Sequence, residues 1–492
     1  MTSVVASIIE RTVSEASESA RAAFRQGADL VELRLDWISG LDLSTIRGAR
    51  REILGPTIAT LRSKAQGGRS PLTGEKRRAM LEETLQSDFE YVDLELDADK
   101  ALLKKAHLVG DGPELIASFH FREPVSRGNV EKKLREALAL GDIGKVAMPC
   151  DSATHALMLS AVGHKYSSLK KRCVVIGMGD QGQLTRVFAD EMGSELVYAC
   201  LKGKEAAPGQ LEVETQTAIL KPSKMVFGLI GHPVSHSVSK PMQEEALSRL
   251  GLAGAYLPLD ILPKEFDGNS LRAIKAAGFV GLNVTIPHKA TAFKLCDKWK
   301  EAASETGAAN TILFVGRDIV GENTDVIGFS RLLDGKINIM KSTGALVIGA
   351  GGAAKAVTYV LTQRQARVTV TDIENERAVA LAKKFGAHSI AIKKLWKSRM
   401  PFDLVVNCSP SGMKGVGGIP IKATFLGPGS VYVDAVYNPP VTRAMQIAET
   451  RGARAYGGLE MLVQQGAESF RLWTGMEPNV EAMREAARRA LD

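Results

Sequence analysis

Eight short apolar runs, each followed by a stretch with helical spacing, fill about the first 220 residues of the chain. The runs begin at Val4, Leu30, Pro56, Tyr91, Glu114, Gly144, Cys173 and Glu195. Between two of them, "GNVEKKLREALALGD" from Gly128 to Asp142 repeats apolar residues at the period of a helix. Eight strands that alternate with helices predict an α/β fold of the (β/α)8 barrel type, with its active site at the C-terminal ends of the strands.

The pattern restarts after a short polar linker at Lys221–Lys224. From Gly344 to Asp372 the chain shows an apolar run, a glycine turn, a helical stretch, a second apolar run and a terminal acid. This is the order of a dinucleotide-binding βαβ unit. Its glycines, Gly349, Gly351 and Gly352, would let the backbone approach a pyrophosphate at a helix N-terminus. The second half therefore predicts a nucleotide-dependent domain.

Composition excludes several other classes of protein. The formal net charge is +8, but the basic residues are scattered and aromatic residues make up only 5%, so no nucleic-acid partner is expected. No apolar run reaches the length of a membrane span, and the N-terminus does not have the pattern of a signal or transit peptide. Five widely spaced cysteines without a C-x-x-C predict a reducing, cytoplasmic setting. No metal is expected, because Pro233 separates His232 and His236 and disfavours a helical pair of ligands.

Two residues in the first half suggest covalent chemistry. Lys145 lies in the apolar run "IGKVAMP", where burial would lower the pKa of the amine and let it attack a ketone. His120 lies in "SFHF" and could move protons next to the resulting iminium. Each has a plain alternative, since a lysine can extend from a strand end into solvent and a lone strand histidine is often structural.

The first half resembles the type I 3-dehydroquinate dehydratases. The strings "ADLVELRLD", "TLRS", "SFHF", "GKVAMP", "LTR" and "APGQ" occur in that family's order, over nearly all of residues 1–220. The resemblance implies that Lys145 forms a Schiff base with 3-dehydroquinate, that His120 is the general acid and base, and that Arg186 binds the substrate carboxylate. It assigns the remaining polar shell to Glu32, Arg34, Arg62 and Gln210.

Two positions depart from the pattern of that family. Gln66 stands where the family usually has a glutamate, in the string "QGG". Ala206 stands where a serine usually precedes "APGQ". The first change removes a carboxylate expected to support the histidine, and the second removes a hydroxyl from the substrate lid. Both are expected to affect the rate rather than the type of reaction.

In the second half, polar groups gather where apolar runs end. "GLNVTIPHK" is expected to place a strand from Gly281 and a helix that begins near Lys289. Nearby motifs supply Ser237, Ser239, Asn310 and Asp325 in the strings "GHPVSHSVSKPM", "GAANT" and "GENTD". Hydroxyls, amides and one lysine–aspartate pair suit a substrate with several hydroxyls and a carboxylate. Beside a dinucleotide unit, the expected reaction is hydride transfer.

Residues 225–492 resemble the shikimate dehydrogenases. The resemblance implies a catalytic pair, Lys289 and Asp325, and leaves the role of Asn283 open. It assigns the substrate to Ser237, Ser239, Thr285, Asn310, Tyr437 and Gln465. The βαβ pattern and this resemblance together assign the cofactor to Gly349, Gly351, Gly352, Ala353 and Asn407, with Asn407 lining the cofactor cleft, and the pattern alone adds Asp372. After the serines, Lys240–Gln243 replaces the usual Pro-x-x-His-Asn.

These resemblances predict three domains: a barrel over residues 1–221, a substrate lobe over 225–335 completed by helices in 459–492, and a Rossmann-like lobe over 336–458. The predicted enzyme converts 3-dehydroquinate to 3-dehydroshikimate and then to shikimate with NAD(P)H. The nearest rival function is that of a catabolic quinate dehydrogenase fused to the dehydratase, which Ser239 and Thr285 disfavour. More distant candidates are a non-catalytic protein built on decayed domains and a class I aldolase.

The cofactor is expected to be NAD or NADP, and one residue favours NAD. Many shikimate dehydrogenases end the second Rossmann strand with Asn-Arg-Thr, whereas this chain has Asp372, Ile373 and Glu374. A carboxylate at Asp372 would accept hydrogen bonds from the ribose hydroxyls of NAD and repel a 2′-phosphate. Alternatively, Asp372 only caps the next helix. Any of three basic residues could also restore phosphate binding: Lys355, Arg367 and Arg377.

Overall fold

The computed structural model describes residues 2–109, 112–234, 237–398 and 400–491. The chain forms two compact units. The first consists of residues 1–224 with 253–261 and 272–278, and the second of residues 225–252, 262–271 and 279–492. Among the described residues, no helix is both long and apolar enough to cross a membrane.

Eight parallel strands form the core of the first unit. They are β1 Ser3–Ile8, β2 Leu30–Arg34, β3 Thr57–Thr60, β4 Tyr91–Glu95, β5 Glu114–His120, β6 Ile143–Pro149, β7 Cys173–Met178 and β8 Leu196–Cys200. The sheet order runs from β8 through β1 to β7, and the backbone N–H of Glu195 donates to the carbonyl of Cys173 at 2.9 Å across the remaining seam. The barrel is therefore nearly closed, as predicted, and every predicted strand begins within one residue of its expected start.

Helices follow the strands around the barrel. They are α1 Val13–Arg25, α2 Leu43–Glu52, α3 Gly74–Leu85, α4 Lys100–Val109, α5 Arg127–Leu138, α6 Ala153–Ser168, α7 Gln183–Val187 and α8 Val213–Ile219. Strand alternation separates two cores. Along β1, Val4 and Ile8 join the cluster shared with the helices, whereas Val5 joins the cluster inside the barrel. Polar side chains at the strand ends are consequently held by apolar packing on both sides.

The chain after residue 224 contributes two six-stranded sheets. The first, in the order β10-β9-β11-β13-β14-β12, is mixed. Its strands are β9 Met225–Gly231, β10 Gly254–Asp260, β11 Gly281–Val284, β12 Lys298–Trp299, β13 Thr311–Val315 and β14 Asp318–Glu322. Its helices are α9 Ser239–Arg249, α10 Gly268–Ala277, α11 Lys289–Leu295, α12 Glu301–Thr306 and α13 Asp325–Leu333. The expected strand from Gly281 and helix from Lys289 are both present.

The second sheet is parallel throughout. Its strands are β15 Gly344–Ile348, β16 Arg367–Thr371, β17 His388–Ser389, β18 Leu404–Asn407, β19 Val431–Asp434 and β20 Arg454–Tyr456. Its helices are α14 Gly352–Gln363, α15 Asn375–Phe385, α16 Ile392–Lys397 and α17 Arg443–Thr450, followed by α18 Leu459–Thr474 and α19 Val480–Arg489. The strand order β17-β16-β15-β18-β19-β20 is the 3-2-1-4-5-6 order of a Rossmann sheet. A ligand cleft is expected at the switch point between β15 and β18.

Candidate active sites

One cavity at the C-terminal ends of the barrel strands collects all seven polar residues that the sequence assigns to this half. Its lining includes Glu32, Arg34, Arg62, His120, Lys145, Arg186 and Gln210, together with Ser7, Met178, Tyr198 and Ala206. The strand ends deliver these side chains from different parts of the chain, which is how barrel enzymes assemble a site. Because these seven residues line one cavity, they are not explained as unrelated surface charges or core groups.

Lys145 lies at the centre of this cavity. Its side chain projects from β6 and is 2% exposed. The Nζ atom lies 3.1 Å from Asp93 Oδ2, 3.9 Å from Glu32 Oε1 and 3.8 Å from the centre of the Tyr198 ring. Burial lowers the pKa of Lys145, and the Arg62 guanidinium adds to this effect, although both carboxylates oppose it. The unprotonated amine of Lys145 is therefore more favoured in this cavity than it would be in water.

Asp93 and Arg62 form a buried ion pair beside this amine. Arg62 donates to Asp93 Oδ2 and to Ser118 Oγ, both at 2.9 Å, and Ser118 donates to Asp93 Oδ1 at 2.6 Å. Burial alone would raise the pKa of Asp93, but the Arg62 and Lys145 cations hold it well below its usual value. Asp93 therefore remains an anion that positions Lys145. Neither Asp93 nor Ser118 was singled out from the sequence.

His120 closes one side of the cavity at the end of β5. Its backbone N–H donates to Gln66 Oε1 at 3.1 Å, and its ring Nδ1 lies 3.3 Å from the same oxygen. Burial lowers the pKa of His120 well below its usual value, and the Arg62 and Lys145 cations lower it further. The imidazole is therefore held as a neutral base. Gln66 occupies the position where the family usually has a glutamate. The side chain that contacts His120 is therefore neutral instead of negatively charged, but the contact itself is kept.

Arg186 differs from the other two arginines of the cavity. Arg34 forms two 2.8 Å hydrogen bonds with Asp36, and Arg62 pairs with Asp93. Arg186 is 2% exposed, donates to the carbonyl of Tyr198 at 2.9 Å, and leaves its Nε without a partner. No carboxylate among the described residues forms an ion pair with it, and burial lowers its pKa to about 10. A buried cation in this state fits an anionic group of a ligand.

Gln210 connects the loop over the cavity with the strands below. Its Oε1 accepts from the backbone N–H groups of Ala206 and Ala207 at 2.8 and 3.2 Å, and its Nε2 donates to Ser7 Oγ at 3.1 Å. Ser7 in turn donates to Glu32 Oε2 at 2.9 Å. The lid position that lost its serine, Ala206, thus keeps a backbone contact to Gln210. Ser7 was not predicted as part of the site.

The second candidate site is built around Lys289 and Asp325. Lys289 begins α11 and Asp325 begins α13, and the two side chains form a direct ion pair. Asn310 donates to Asp325 Oδ1 at 2.9 Å and to Gln465 Oε1 at 3.1 Å. Gln465 comes from α18, far along the chain. Four predicted residues therefore meet at one point, where a lysine–carboxylate pair is bordered by neutral amides.

A buried group of hydroxyls supports these residues. Ser469 Oγ accepts from Asn283 Nδ2 at 2.9 Å and lies 2.8 Å from Thr311 Oγ1 and 3.1 Å from Thr324 Oγ1. Thr324 N–H also donates to Asn310 Oδ1 at 2.7 Å. Asn283 thus belongs to this supporting group. The sequence offered a weak signal for the rest, because Thr311 and Thr324 directly follow Asn310 and Asn323 in the two polar motifs.

The predicted serines lie beside Tyr437. Ser237 donates to Ser239 Oγ at 3.1 Å and is hydrogen-bonded to the Tyr437 side chain. Burial raises the pKa of Tyr437, so the phenol remains neutral as a hydrogen-bonding group. Thr285 follows β11 and is half-buried, with its backbone N–H bonded to the carbonyl of Ile230 at 2.8 Å. These side chains provide hydroxyl groups without any further charge.

The glycine turn after β15 fits a dinucleotide. Gly349 has φ +105°, and a Cβ there would lie 3.1 Å from the Cys408 backbone. Gly351 caps α14, which begins with Gly352 and Ala353, and a Cβ at Gly352 would lie 2.8 Å from the Lys289 side chain. The turn therefore presents bare backbone at a helix N-terminus, beside the lysine of the catalytic pair. Both features suit the close approach of a pyrophosphate.

Asp372 and Asn407 flank this turn. Asp372 is 8% exposed, and its two oxygens accept from Ala350 N–H at 2.6 Å and Glu374 N–H at 2.8 Å. Asn407 has no exposed surface and donates to Asp434 Oδ1 at 2.9 Å and to the Ser411 carbonyl at 3.0 Å. Asn407 therefore orders the loop that follows β18, and its place in the cofactor cleft stays a prediction.

No cluster of metal-binding side chains occurs in the part of the chain that the structure describes. Of the two histidines considered in the sequence, His232 and His236, the second lies outside the described residues.

Family models match the chain in segments. The type I 3-dehydroquinase model matches residues 4–225 and the shikimate dehydrogenase substrate binding domain matches residues 229–312. The shikimate / quinate 5-dehydrogenase model matches residues 331–413, and the shikimate 5′-dehydrogenase C-terminal domain matches residues 458–488.

Individual proteins extend this result. The bifunctional 3-dehydroquinate dehydratase/shikimate dehydrogenase of Arabidopsis thaliana, a chloroplastic protein, is 30% identical over 96% of this chain and 81% of its own length. The shikimate 5-dehydrogenase of Thermus thermophilus, solved with NADP(H) and shikimate, is 37% identical over 54% of this chain and all of its own, with a TM-score of 0.50. A quinate dehydrogenase from Corynebacterium glutamicum, solved with NAD, is 30% identical over 54% of this chain and 98% of its own, with the same TM-score.

Proposed function

The chain belongs to the bifunctional 3-dehydroquinate dehydratase/shikimate dehydrogenase family, and on this premise we propose which residues carry its two reactions. It is a lyase and a nicotinamide-dependent oxidoreductase of the shikimate pathway. The observation that best supports the assignment of residues is that seven predicted side chains line one cavity. In the second half, Lys289 forms an ion pair with Asp325 beside the glycine turn.

In the barrel, Lys145 is the nucleophile. Its amine adds to the ketone of 3-dehydroquinate, and loss of water from the adduct gives an iminium. His120 removes a proton from the carbon next to the iminium and returns it to the departing hydroxyl, which leaves as water. A second water then hydrolyses the iminium, which releases 3-dehydroshikimate and restores Lys145. Arg186, the buried cation without an anionic partner, binds the substrate carboxylate.

In the dehydrogenase half, Lys289 and Asp325 manage the proton of the alcohol. A reduced nicotinamide cofactor, held at the glycine turn by Gly349, Gly351 and Gly352, would supply a hydride to the ketone of 3-dehydroshikimate. Lys289 lies against the start of α14 and donates a proton to the oxygen that becomes the new hydroxyl of shikimate. Asp325 holds the ammonium in place through its ion pair, while Asn310 fixes the other carboxylate oxygen. Ser237, Ser239, Thr285, Tyr437 and Gln465 bind substrate hydroxyl and carboxylate groups.

We assign NAD as the preferred cofactor on the basis of Asp372. Its carboxylate lies at the glycine turn, where a 2′-phosphate would face a negative charge. Ile373, at the position usually held by an arginine, is 83% exposed and carries no charge. Arg377 lies near the turn, 3.9 Å from a Cβ placed on Gly351, but pairs with Glu374 at 3.0 Å. The T. thermophilus relative was solved with NADP(H) and the quinate dehydrogenase with NAD, so both cofactors occur on this fold.

The domain limits of the sequence analysis are proposed as functional boundaries. One boundary between the compact units falls after Lys224, next to the predicted linker, although residues 253–261 and 272–278 of the predicted substrate lobe group with the first unit. Helix α18 brings Gln465 to Asn310, which supports a substrate lobe that is completed by the C-terminal helices. We also propose a reducing compartment, the cytoplasm, from the spacing of the cysteines.

A coupled assay tests the whole proposal. Purified protein is given 3-dehydroquinate with NADH or NADPH, and formation of both 3-dehydroshikimate and shikimate is followed. Shikimate should form only when a reduced cofactor is present, and faster with NADH. Comparing quinate with shikimate as substrates for oxidation tests the catabolic function. A higher kcat/KM for quinate than for shikimate would show that the second reaction is quinate oxidation. Failure to form 3-dehydroshikimate from 3-dehydroquinate would overturn the first reaction.

A further inference from the structure

The turn after β3 holds a glutamine against the histidine of the barrel site. Gln66 ends the 3-10 turn Lys64–Gln66, and its Oε1 contacts both the backbone N–H and the ring Nδ1 of His120, at 3.1 and 3.3 Å. Gln66 also lines a second cavity next to the first, whose wall includes His120. Gln66 and His120 are therefore neighbours in the wall of that cavity.

The turn is fixed by contacts that do not involve the substrate cavity. Ser63 donates through its N–H and its Oγ to the two oxygens of buried Glu95, both at 2.7 Å. Gly67 has φ +87°, which favours glycine, and a Cβ at Gly68 would lie 2.2 Å from the backbone oxygen of Arg62. The turn thus has little freedom to move Gln66 away from His120.

Donor and acceptor rules determine which ring nitrogen carries the proton. The backbone N–H of His120 is a donor, so the Gln66 atom that it meets is the amide oxygen and not the nitrogen. An amide oxygen only accepts, so Nδ1 must be the protonated nitrogen to make a favourable contact at 3.3 Å. In the neutral ring this leaves Nε2 with a free lone pair. A base at Nε2 is what the proposed proton abstraction requires.

We propose that Gln66 is a positioning residue that holds His120 in the Nδ1–H tautomer and, being uncharged, keeps the imidazole neutral to lower pH than a carboxylate would. This inference rests on the proposed role of His120 in the dehydratase. Replacement of the usual glutamate by Gln66 therefore shifts the pH range in which His120 can act as a base. The contact with Nδ1 and the Nδ1–H tautomer are kept, while the anion that would stabilise an imidazolium is removed.

The charges that face His120 act in both directions, with three cations against one anion. Arg34 on β2, Arg62 after β3 and Lys145 on β6 are cations that disfavour an imidazolium, and Asp93 on β4 is the anion that opposes them. Asp93 is already engaged by Arg62, Lys145 and Ser118. A carboxylate at position 66 would add a negative charge about 3 Å from Nδ1, and would therefore raise the pKa of His120.

The test is ¹⁵N NMR of the full-length protein labelled at histidine, with the His120 signal assigned by its absence in His120→Gln. The unmodified protein should show Nδ1–H. In Gln66→Glu, the titration midpoint of His120 should rise by about one pH unit or more. In Gln66→Met, which removes the acceptor at similar size, the Nδ1–H preference should be lost. The kcat of dehydration should also fall about tenfold or more in this variant, with KM nearly unchanged.

Unchanged ¹⁵N signals of His155 and His164, two other histidines of the barrel, report whether the barrel of each variant is folded. An Nε2–H signal in the unmodified protein, an unmoved midpoint in Gln66→Glu, or a retained Nδ1–H preference in Gln66→Met would each overturn the inference. The NMR measurements need no turnover, so their outcome does not depend on whether the proposed dehydratase function is correct. That function is tested independently by borohydride trapping of substrate on Lys145.

Discussion

Each half of the molecule places a lysine next to an aspartate, yet the two lysines have very different surroundings. Lys145 is 2% exposed and lies among charges of both signs: Asp93, Glu32 and Arg62. The Lys289 side chain is 15% exposed, and Asp325 is its one ion-pair partner among the described residues. The first site is an ionic cluster in a closed barrel, and the second is one ion pair at the edge of a cleft.

The groups beyond the lysines differ in the same way. Around Lys145, buried polar contacts involve ions, such as Arg62 with Asp93. Around Asp325, the contacts come from uncharged groups: Asn310, Gln465 and, behind them, Ser469. A buried charge can shift the pKa of a neighbour strongly, whereas hydrogen bonds from amides and hydroxyls mainly orient a neighbour and shift its pKa less.

This contrast follows from the two reactions proposed. A lysine that attacks a ketone must lose its proton first, so burial and a nearby guanidinium help it. A lysine that delivers a proton to a forming alcohol must carry one, so a single carboxylate partner suits it. In the proposed reactions the two lysines therefore act in opposite protonation states, although each is paired with an aspartate.

The largest effect is expected from Lys145→Ala. Dehydration should fall by at least about 10⁴-fold, because no other amine can form the imine, while shikimate oxidation stays unchanged. Borohydride treatment with 3-dehydroquinate should add the mass of the ligand to the peptide that contains Lys145. The control is Lys165→Ala, which removes a surface lysine paired with Glu131. Label on another peptide, or dehydration that survives in Lys145→Ala, would contradict the assignment.

Lys289→Ala tests the other side of the comparison. Reduction of 3-dehydroshikimate should fall by about 10²–10⁴-fold, the usual range for loss of a general acid, while dehydration remains near normal. Lys298→Ala, which removes an exposed lysine paired with Asp318, is the matched control. Loss of both activities in a folded Lys289 variant would show that the two sites do not work independently.

The sequence predicted most of both architectures because the spacing of apolar residues and the glycine turns between them carry that information. All eight barrel strands and the βαβ unit were found from apolar runs and glycines. The lysines, histidine and arginines of the sites were found by motif. What was missed depends on strand register. Ser118 pairs with Lys145 across β5 and β6, and Asp93 reaches Lys145 across 52 residues of chain. A single sequence does not reveal which strand faces lie together.

The supporting hydroxyls were missed for a related reason. Ser469 lies one helical turn after Gln465, but only the folded chain brings it to Thr311 and Thr324. Asn407 was assigned to the cofactor cleft because the string "NCSPSGM" resembles the shikimate dehydrogenases. In the structure its amide is fully used by Asp434 and the loop that follows. Position along a strand predicts proximity to a site, but not whether a side chain faces it.

A smaller effect is expected at the cofactor. Asp372→Asn should lower the ratio of kcat/KM for NAD over NADP by on the order of tenfold, about 1.4 kcal/mol, because it removes a charge that repels a 2′-phosphate. Glu374→Gln, a change at the same turn, should have less effect, since Glu374 pairs with Arg377. A clear NADP preference in the unmodified protein would contradict the assignment. An unchanged ratio in Asp372→Asn would show that this residue does not select the cofactor.

The smallest effect is expected from Ser469→Ala, which tests whether the uncharged groups of the second site act through orientation. Ser469 has no exposed surface and meets Asn283, Thr311 and Thr324, so its removal leaves buried polar groups unpaired. The free energy of unfolding of the second half should fall by about 1–3 kcal/mol. KM for shikimate should rise a few-fold, because Gln465 and Asn310 lose part of their support.

Thr474→Ala is the matched control on the same helix. Thr474 donates to the carbonyl of Phe470 four residues earlier, as Ser469 does to Gln465, but it lies outside the supporting group. If orientation by neutral groups matters, Ser469→Ala should raise KM and leave the pH dependence of shikimate oxidation unchanged, whereas Thr474→Ala should change neither. A shifted pH profile in Ser469→Ala would mean that this hydroxyl group influences the charge of the Lys289–Asp325 pair, and the contrast between the ionic and the neutral site would then be wrong.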